Sequence, residues 1–181
     1  MPMSDPTNVN RQVIHEELEQ ARARFHTLLN DSSNADLKRQ SNGTRWNNEQ
    51  LLFHMLFGYL VARVLLGLVK NFGRLPDSAS RIFARALNSL TGPFHVINYL
   101  GSCGGAIVFG HRRMGRKFDR VIASLHRHLD AETETALHRG MHFPPGWDPF
   151  FQDFMTLADV YHYPTQHFDF HKQQLSVRSA E

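Results

Sequence analysis

Cysteine is nearly absent from this sequence. Its 181 residues include one, Cys103, so the chain cannot form an intramolecular disulfide or a cysteine-based zinc or iron–sulfur site. Strong charge of either sign is also missing, because 20 basic and 17 acidic residues leave a net charge of only +3. That balance does not favour nucleic acid as a partner. Residues 1–12 are polar and include no apolar leader, so we expect a cytoplasmic protein.

Alternation of apolar and polar residues, the signal of a half-buried strand, is not found in any segment. Apolar residues recur instead every three or four positions, which is the spacing of one helix face. Two helix starts carry the pattern of a capping box, in Asn47 with Gln50 and in Thr156 with Asp159. The sequence predicts main helices over 8–29, 51–69, 107–129 and 156–175, the last one kinked at Pro164.

The predicted architecture is an all-α four-helix bundle that forms a single domain over residues 8–176. Gly73 and Pro76 end the second helix, and a basic amphipathic helix follows, so we predict a short helical insertion at about 73–92 between the second and third bundle helices. The glycine cluster at 101–105, inside the apolar stretch 94–109, predicts either a break or a close helix contact there. The termini, 1–7 and 177–181, are predicted to be flexible.

Two apolar stretches, 51–69 and 93–110, approach the roughly 20 residues that a membrane-spanning helix needs. His54 and Arg63 interrupt the first, however, and glycines and Asn98 interrupt the second. A mean hydropathy of −0.39 is typical of a soluble protein. We therefore interpret both stretches as buried bundle helices and do not expect membrane association. Their apolar surface exceeds what one bundle face can bury, which predicts a homodimer.

Histidine is the residue type in clear excess, with 12 in the chain. His167 and His171 lie four residues apart in the last helix, so their rings project from one face, one turn apart, which suits a shared metal ion. His54 lies in the most apolar helix, where an imidazole needs partners for its nitrogens. The spacing therefore suggests a three-histidine metal site. A di-iron bundle site is excluded, because no Glu-x-x-His occurs.

Each of these histidines, taken singly, is explained equally well as a hydrogen-bonded core residue. His138 and His142 share the same spacing, but Gly140 between them and the proline that follows argue against a helix there. His111 lies on the apolar stripe of its helix, and we interpret it as a core residue rather than a ligand. Four more histidines have no partner at a helical spacing in the sequence, namely His15, His26, His95 and His162. His126 and His128 lie two residues apart and so point in different directions on a helix, which predicts surface positions for both.

Two motifs in a fixed order resemble the DinB-like superfamily. The first is Trp46, a polar cap, Glu49-Gln50-Leu51-Leu52 and then His54, and the second is His167-Phe-Asp-Phe-His171-Lys-Gln-Gln-Leu. The resemblance covers about residues 8–175 and implies a four-helix bundle with one divalent metal ion held by His54, His167 and His171. The long segment 71–92, the glycine cluster and the proline upstream of the ligand pair depart from the family pattern.

The DinB-like superfamily includes thiol-dependent transferases and mycothiol-dependent maleylpyruvate isomerase-like proteins. The resemblance thus implies a metal-dependent enzyme with a small-molecule substrate and a low-molecular-weight thiol as co-substrate. Imidazole ligands suit zinc, nickel or iron, leave an open position, and allow the ion to acidify a bound water or thiol. Two alternatives stay open: a non-catalytic, stress-related protein that binds a metal or small molecule, and a metal-hydroxide hydrolase. No catalytic residue is assigned.

Several residues near these motifs have two interpretations each. Gln50 and Tyr163 each lie one turn before a predicted ligand, where they could contact it or belong to the helix surface or core. The basic run from Arg112 to Arg120 is interpreted as a solvated helix face, with an anionic co-substrate or acidic surface as the alternative. Cys103 is interpreted as a small packing residue, with a reactive thiol as the alternative.

Overall fold

The structure, a computed structural model, describes residue 9 and residues 11–177. The predicted flexible segments 1–7 and 178–181 lie outside the described residues. In chain order the elements are α1 (Arg11–Asp31), α2 (Asn34–Lys38), α3 (Asn48–Phe72), α4 (Asp77–Asn88), α5 (Thr91–Ala131), α6 (Glu134–Leu137), β1 (Gly140–His142), β2 (Phe154–Thr156) and α7 (Leu157–Lys172).

Four helices enclose the core, namely α1, α3, the second half of α5 and α7. Each contributes one fully buried aromatic ring to the centre, and these are Phe25, Tyr59, Phe118 and Phe168. The ring of Phe118 lies 4.5 Å from that of Phe25 and 4.8 Å from that of Tyr59, centroid to centroid. Burial of such large rings dominates the stability of a core. The predicted all-α four-helix bundle is confirmed.

Gly110 reverses the direction of the chain within α5. Its φ of 56° lies in the left-handed region that glycine adopts without strain, and its ψ of 161° is not helical. Before it, α5 runs antiparallel to α3, with the ring of Phe109 packed 5.7 Å from that of Phe53 and Ser102 beside His54. The break therefore occurs at Gly110, outside the glycine cluster at 101–105, for which the sequence predicted either a break or a close helix contact.

After the reversal, α5 runs parallel to α3. Glu49 in the first turn of α3 accepts a hydrogen bond from the backbone N–H of His111 at 3.1 Å, and Tyr59 further along α3 contacts Phe118. Both α4 and residues 91–109 of α5 consequently lie between the second and third bundle helices. The connection is thus longer than the insertion predicted over 73–92.

One member of the glycine cluster, Gly105, makes the close helix contact that the sequence predicted as one of two outcomes. A Cβ atom at Gly105 would lie 2.0 Å from Cε1 of Phe53, so only glycine lets α5 approach α3 at this point. Residues 91–109 therefore form a helix that lies directly on α3 at Gly105. This contact brings Ser102 to the first turns of α3, which matters for the site described below.

The two predicted capping boxes are present and fix where the ligand-bearing helices begin. At α3, Asn47 Oδ1 accepts from the backbone N–H of Gln50 at 2.9 Å, and Gln50 Oε1 accepts from that of Asn47 at 3.0 Å. At α7, Thr156 and Asp159 form the same reciprocal pair. The helix continues through Pro164 and ends at Lys172, three residues before the predicted end.

Three short elements were not predicted. The strands β1 and β2 pair antiparallel, with Met141 opposite Met155, and at three residues each they are too short to show an alternating pattern. The helix α2 lies in the predicted loop between α1 and α3 and begins with a capping box of Ser33 and Asp36. The β1–β2 pair matters for the site, because it brackets the loop that carries Asp148.

One helix in the described residues, Asn48–Phe72, is long and apolar enough to cross a membrane. However, 56% of its most apolar stretch is buried inside the protein. A core helix of a soluble bundle has the same properties, so this helix is weak support for a membrane protein.

Candidate metal centre

The three histidines that the sequence singled out lie together in the structure. His54 comes from the second turn of α3, and His167 and His171 come from the last turns of α7, which runs antiparallel to α3. One ring nitrogen from each residue lies within 4.8 Å of the others, and the Nε2 atoms of His54 and His171 are 3.2 Å apart. His54 and His167 are buried, with 3% and 4% of their surface exposed.

A buried carboxylate orients His167. The Nδ1–H group of His167 donates to Oδ2 of Asp148 at 3.0 Å, and the Tyr163 hydroxyl donates to the same oxygen at 3.0 Å. The other carboxylate oxygen of Asp148 accepts from the backbone N–H of Phe150 at 2.9 Å. Because Nδ1 holds the proton, the lone pair of the His167 ring lies on Nε2.

The other two rings are oriented in the same way by neutral acceptors. His171 Nδ1–H donates to Gln174 Oε1 at 2.6 Å. The hydroxyl of Ser102 donates to the backbone carbonyl of Asn98 at 2.9 Å, so its oxygen is left to accept from His54 Nδ1–H at 3.1 Å. The proton positions follow from the available acceptors. All three histidines thus hold their proton on Nδ1.

The Nε2 atoms of the three histidines consequently carry no proton, and their lone pairs lie together in the cluster. His167 Nε2 is buried and has no hydrogen-bond partner among the described residues. Unpaired buried polar atoms are costly, and a cation removes the repulsion between three lone pairs at once. Three imidazole nitrogens with a hydrogen-bonded carboxylate behind one of them are a common donor set for divalent metals. The residues present therefore fit a metal ion.

Electrostatics keep these rings in the metal-binding form. Burial lowers the pKa of His54 well below its usual value, and the neighbouring His167 and His171 lower it further. Burial and His167 lower the pKa of His171 to about 4. Both rings are therefore neutral at pH 7 without a metal ion, and neutral imidazole is the species that coordinates.

The pKa values of the Asp148 carboxylate and the Tyr163 phenol, which lie behind the site, shift in opposite directions. Burial of Asp148 opposes its charge, but the hydrogen bonds that it accepts outweigh burial and lower its pKa. The pKa of Tyr163 is raised well above its usual value, first by burial and then by the charge of Asp148. Asp148 is thus an anion and Tyr163 a proton donor throughout the neutral range.

Trp46 forms a wall of the site. Its ring stacks on His54 at 4.3 Å with an angle of 25° between the planes, and its edge contacts His171 at 6.4 Å. Tyr99 lies on Trp46 at 6.0 Å, and the guanidinium of Arg45 lies 4.6 Å from the Tyr99 ring centre. Trp46 belongs to the first motif of the sequence, and its contact fixes the ring plane of His54.

Four residues of the site escaped sequence reasoning: Gly58, Ser102, Asp148 and Gln174. Gly58 is needed because a Cβ atom there would lie 2.9 Å from Cδ2 of His167. Asp148 lies in a loop without regular structure, and Ser102 reaches His54 only because the chain reverses at Gly110. Gln174 lies three residues after His171, at the end of α7. Of the four, it is the one whose contact could have been predicted from its spacing in the sequence.

The other residues that the sequence analysis considered lie outside the three-histidine cluster. Gln50 is used by the helix cap, whereas Tyr163 contacts the site through Asp148. His111 is half-buried rather than a core residue, and it is not part of the cluster. Cys103 is half-buried. Most of the basic run is exposed, as a solvated face requires, namely Arg112, Arg113, Arg116 and Arg120.

Three of the four histidines for which the spacing offered no partner, His15, His26 and His162, have partners from other helices. His15 Nδ1 lies 2.5 Å from Nδ1 of His126, and His26 contacts Asp119 at 2.8 Å. His162 contacts Glu17 at 2.7 Å. These contacts join α1 to α5 and α7 at the surface of the bundle, and they explain part of the histidine excess without any metal.

The second and last helices of this bundle bring three histidines to one point. This arrangement defines the class of helical bundles able to hold a single divalent ion. The family model of the DinB superfamily matches residues 17–175 of this chain. The chain therefore belongs to the DinB superfamily, as its two motifs predicted. No curated protein and no solved structure matches it.

Proposed function

We propose that this DinB-superfamily protein is a metal-dependent enzyme in which His54, His167 and His171 hold one divalent ion. Its substrate is a small molecule, and a low-molecular-weight thiol is the co-substrate of a transfer or isomerisation. The observation that carries the proposal is the convergence of three Nε2 atoms, each opposite an Nδ1–H group with its own acceptor.

Zinc, nickel and iron all suit three imidazole ligands. An ion in such a site lowers the pKa of a water or thiol that contacts it, and so supplies a nucleophile at neutral pH. The protein's own residues orient the ligand rings, and burial keeps His54 and His171 neutral. Asp148 fixes His167, and Tyr163 stays protonated because its pKa is raised.

The side chains near the site favour activation of the nucleophile by the ion. Among the described residues, Asp148 is the one carboxylate lining the adjoining cavity, and it is already engaged by His167 and Tyr163. It is therefore not free to act as a general base. A nucleophile at this site would have to be activated by the ion rather than by a carboxylate.

The cavity beside the histidines favours an enzyme over a protein that only stores metal. It has a volume of about 370 Å³ and touches His54 and His167. Ligand pockets commonly have volumes of about 300–1,000 Å³, and a storage site has no need for one. The space supports a substrate bound next to the ion.

The test is an assay of electrophile consumption with mycothiol, bacillithiol or glutathione, with and without metal. We expect thiol-dependent turnover that metal removal abolishes and that His171→Gln reduces more than it reduces metal content. The control is His128→Gln, because His128 is an exposed histidine outside the site. Turnover without any thiol would identify a hydrolase, and stoichiometric metal without turnover would identify a binding protein. Either result overturns the proposal.

We also propose a cytoplasmic homodimer that does not bind nucleic acid. Twelve of the 25 residues of α3 are buried, and most of its other apolar side chains line the cavity, so we assign the interface to the first half of α5. Its outer face carries apolar side chains with 58–81% exposure, which are Val96, Ile97, Leu100, Ile107 and Val108. Exposed apolar patches of this kind mark interaction sites. Sedimentation in buffer without detergent should show a dimer, and monomer alone would refute it.

A further inference from the structure

The cavity next to the histidines differs chemically from the site that it adjoins. Its walls come from α3, from α4, from the first half of α5 and from the loop at 147–151. Hydrocarbon side chains form most of these walls, among them Val61, Leu65, Phe83, Leu87, Phe94 and Phe151. In the part of the chain that the structure describes, no lysine, arginine or glutamate lines it, and the charge of Asp148 is compensated by hydrogen bonds.

The polar residues of the cavity lie mostly at the end next to the histidines. Asp148 accepts hydrogen bonds from Tyr163 and from His167, and the backbone carbonyl of Asn98 is joined through Ser102 to His54. Most of the remaining lining is apolar. The cavity therefore has a polar end at the histidines and an apolar remainder.

The apolar walls are held in place rather than loosely packed. The rings of Phe94 and Trp147 stack at 4.0 Å with 11° between their planes, and the indole N–H of Trp147 donates to the backbone carbonyl of Leu87 at 2.8 Å. The ring of Phe83 stacks on Phe72 at 4.8 Å. The cavity is thus built by the connection between the second and third bundle helices, together with the loop that carries Asp148.

The cavity also reaches the surface. Val64 on its rim is 65% exposed, and Leu60, Val61, Leu65 and Leu68 are each only partly buried. Apolar surface held open to water is unfavourable, at roughly 25 cal/mol per Å², and is a mark of a binding site. A hydrocarbon ligand would remove this surface from water.

We propose that the second substrate of this protein is a molecule with an uncharged hydrocarbon tail, aliphatic or aromatic, which fills the cavity and presents its reactive head group to the histidines. An apolar cavity of about 150 Å³ accommodates benzene, so about 370 Å³ accommodates a tail of roughly ten carbons. The role of the head group rests on the proposed metal-dependent function, whereas the tail site does not. Hydrophilic thiols do not match this lining, which assigns the cavity to the other substrate.

The tail site is tested by calorimetric titration of the metal-free protein with 1-octanol and 1-butanol. Each buried methylene contributes about 0.8 kcal/mol, so we expect octanol to bind at least about tenfold more tightly. Val61→Trp, which fills the cavity, should weaken octanol binding by at least about tenfold. The matched control is Val13→Trp, because Val13 is a valine of α1 that is 39% exposed and lies outside both the cavity and the proposed dimer interface, and it should leave the affinity unchanged.

A second pair of variants covers the case in which Val61→Trp fails to fold. Val61→Ser keeps the cavity open but makes its wall polar, and it should weaken octanol binding several-fold relative to Val13→Ser. Equal affinities for the two alcohols, or equal losses in the Val61 and Val13 variants, would overturn the proposal. Octanol binding in a protein that binds no metal would refute the proposed function alone. Metal binding without octanol binding would refute the tail site alone.

Discussion

Asp148 accepts a hydrogen bond from His167 at 3.0 Å, although the two residues lie 19 positions apart in the chain. The loop that carries Asp148 thereby fixes the tautomer of a ring in a helix. Carboxylates behind metal-binding histidines orient the ring and raise its basicity. This contact ties the cavity wall, the protonated Tyr163 and the three-histidine cluster into one unit.

Replacement of Asp148 by asparagine should weaken metal binding about 10- to 100-fold, because the amide keeps the shape but removes the negative charge behind His167. The measurement is a competitive titration with a metal-binding dye. The matched control is Asp153→Asn, since Asp153 contacts Nδ1 of His142 at 3.1 Å, outside the site. Equal affinities in both variants and the wild type would show that Asp148 has no part in metal binding.

Replacement of Gly58 by alanine should displace His167, because the added Cβ would lie 2.9 Å from its ring. We expect metal affinity to fall about tenfold or more, and overpacking to cost about 1–3 kcal/mol of unfolding free energy. Gly67→Ala is the control on the same helix, where no atom lies within 4 Å of the new Cβ. It should stabilise α3 by up to about 1 kcal/mol. Thermal melts and metal titrations of both variants decide the matter.

The metal-free protein should lose stability on acidification. The folded-state pKa values of His54 and His171 lie below those in the unfolded chain, so the unfolded state binds more protons below about pH 6.5. The free energy of unfolding should therefore fall as the pH drops from about 6.5 towards 4. The shift of His171 to about 4 corresponds to at most about 3 kcal/mol.

Denaturant unfolding across this pH range, in a chelator that removes metal, measures the effect. His171→Asn should flatten the dependence, because one of the neutral buried rings is gone. His128→Asn should follow the wild type, since His128 is exposed. A stability that rises on acidification, or an identical slope in the His171 variant, would mean that these rings are not held neutral in the folded protein.

Local sequence signals predicted much of the fold and the ligand set. The capping boxes at Asn47 and Thr156 depend on residues three positions apart, and helical periodicity depends on spacings of three and four. His167 and His171 share a helix face for the same reason. All four bundle helices and the candidate ligands were thus accessible, since His54 stood out as an imidazole in the most apolar helix before the family resemblance supported the same three residues.

Contacts between residues far apart in the chain could not be predicted from the sequence. Ser102 reaches His54 because the chain reverses at Gly110, and a lone glycine followed by a basic run carries no signal of such a reversal. Asp148 lies in a loop whose position is set by the β1–β2 pair and by Trp147 packed on Phe94. Both contacts depend on tertiary structure, which local periodicity does not encode.

The central claim, that His54, His167 and His171 together hold one metal ion, is tested most directly by metal analysis of the purified protein and of its three single His→Ala variants. The account predicts about one divalent ion per chain in the wild type and in the control His128→Ala. Each of the three variants should lose it, because two imidazoles leave the site incomplete. Stoichiometric metal in all three variants would contradict the account and place the metal elsewhere.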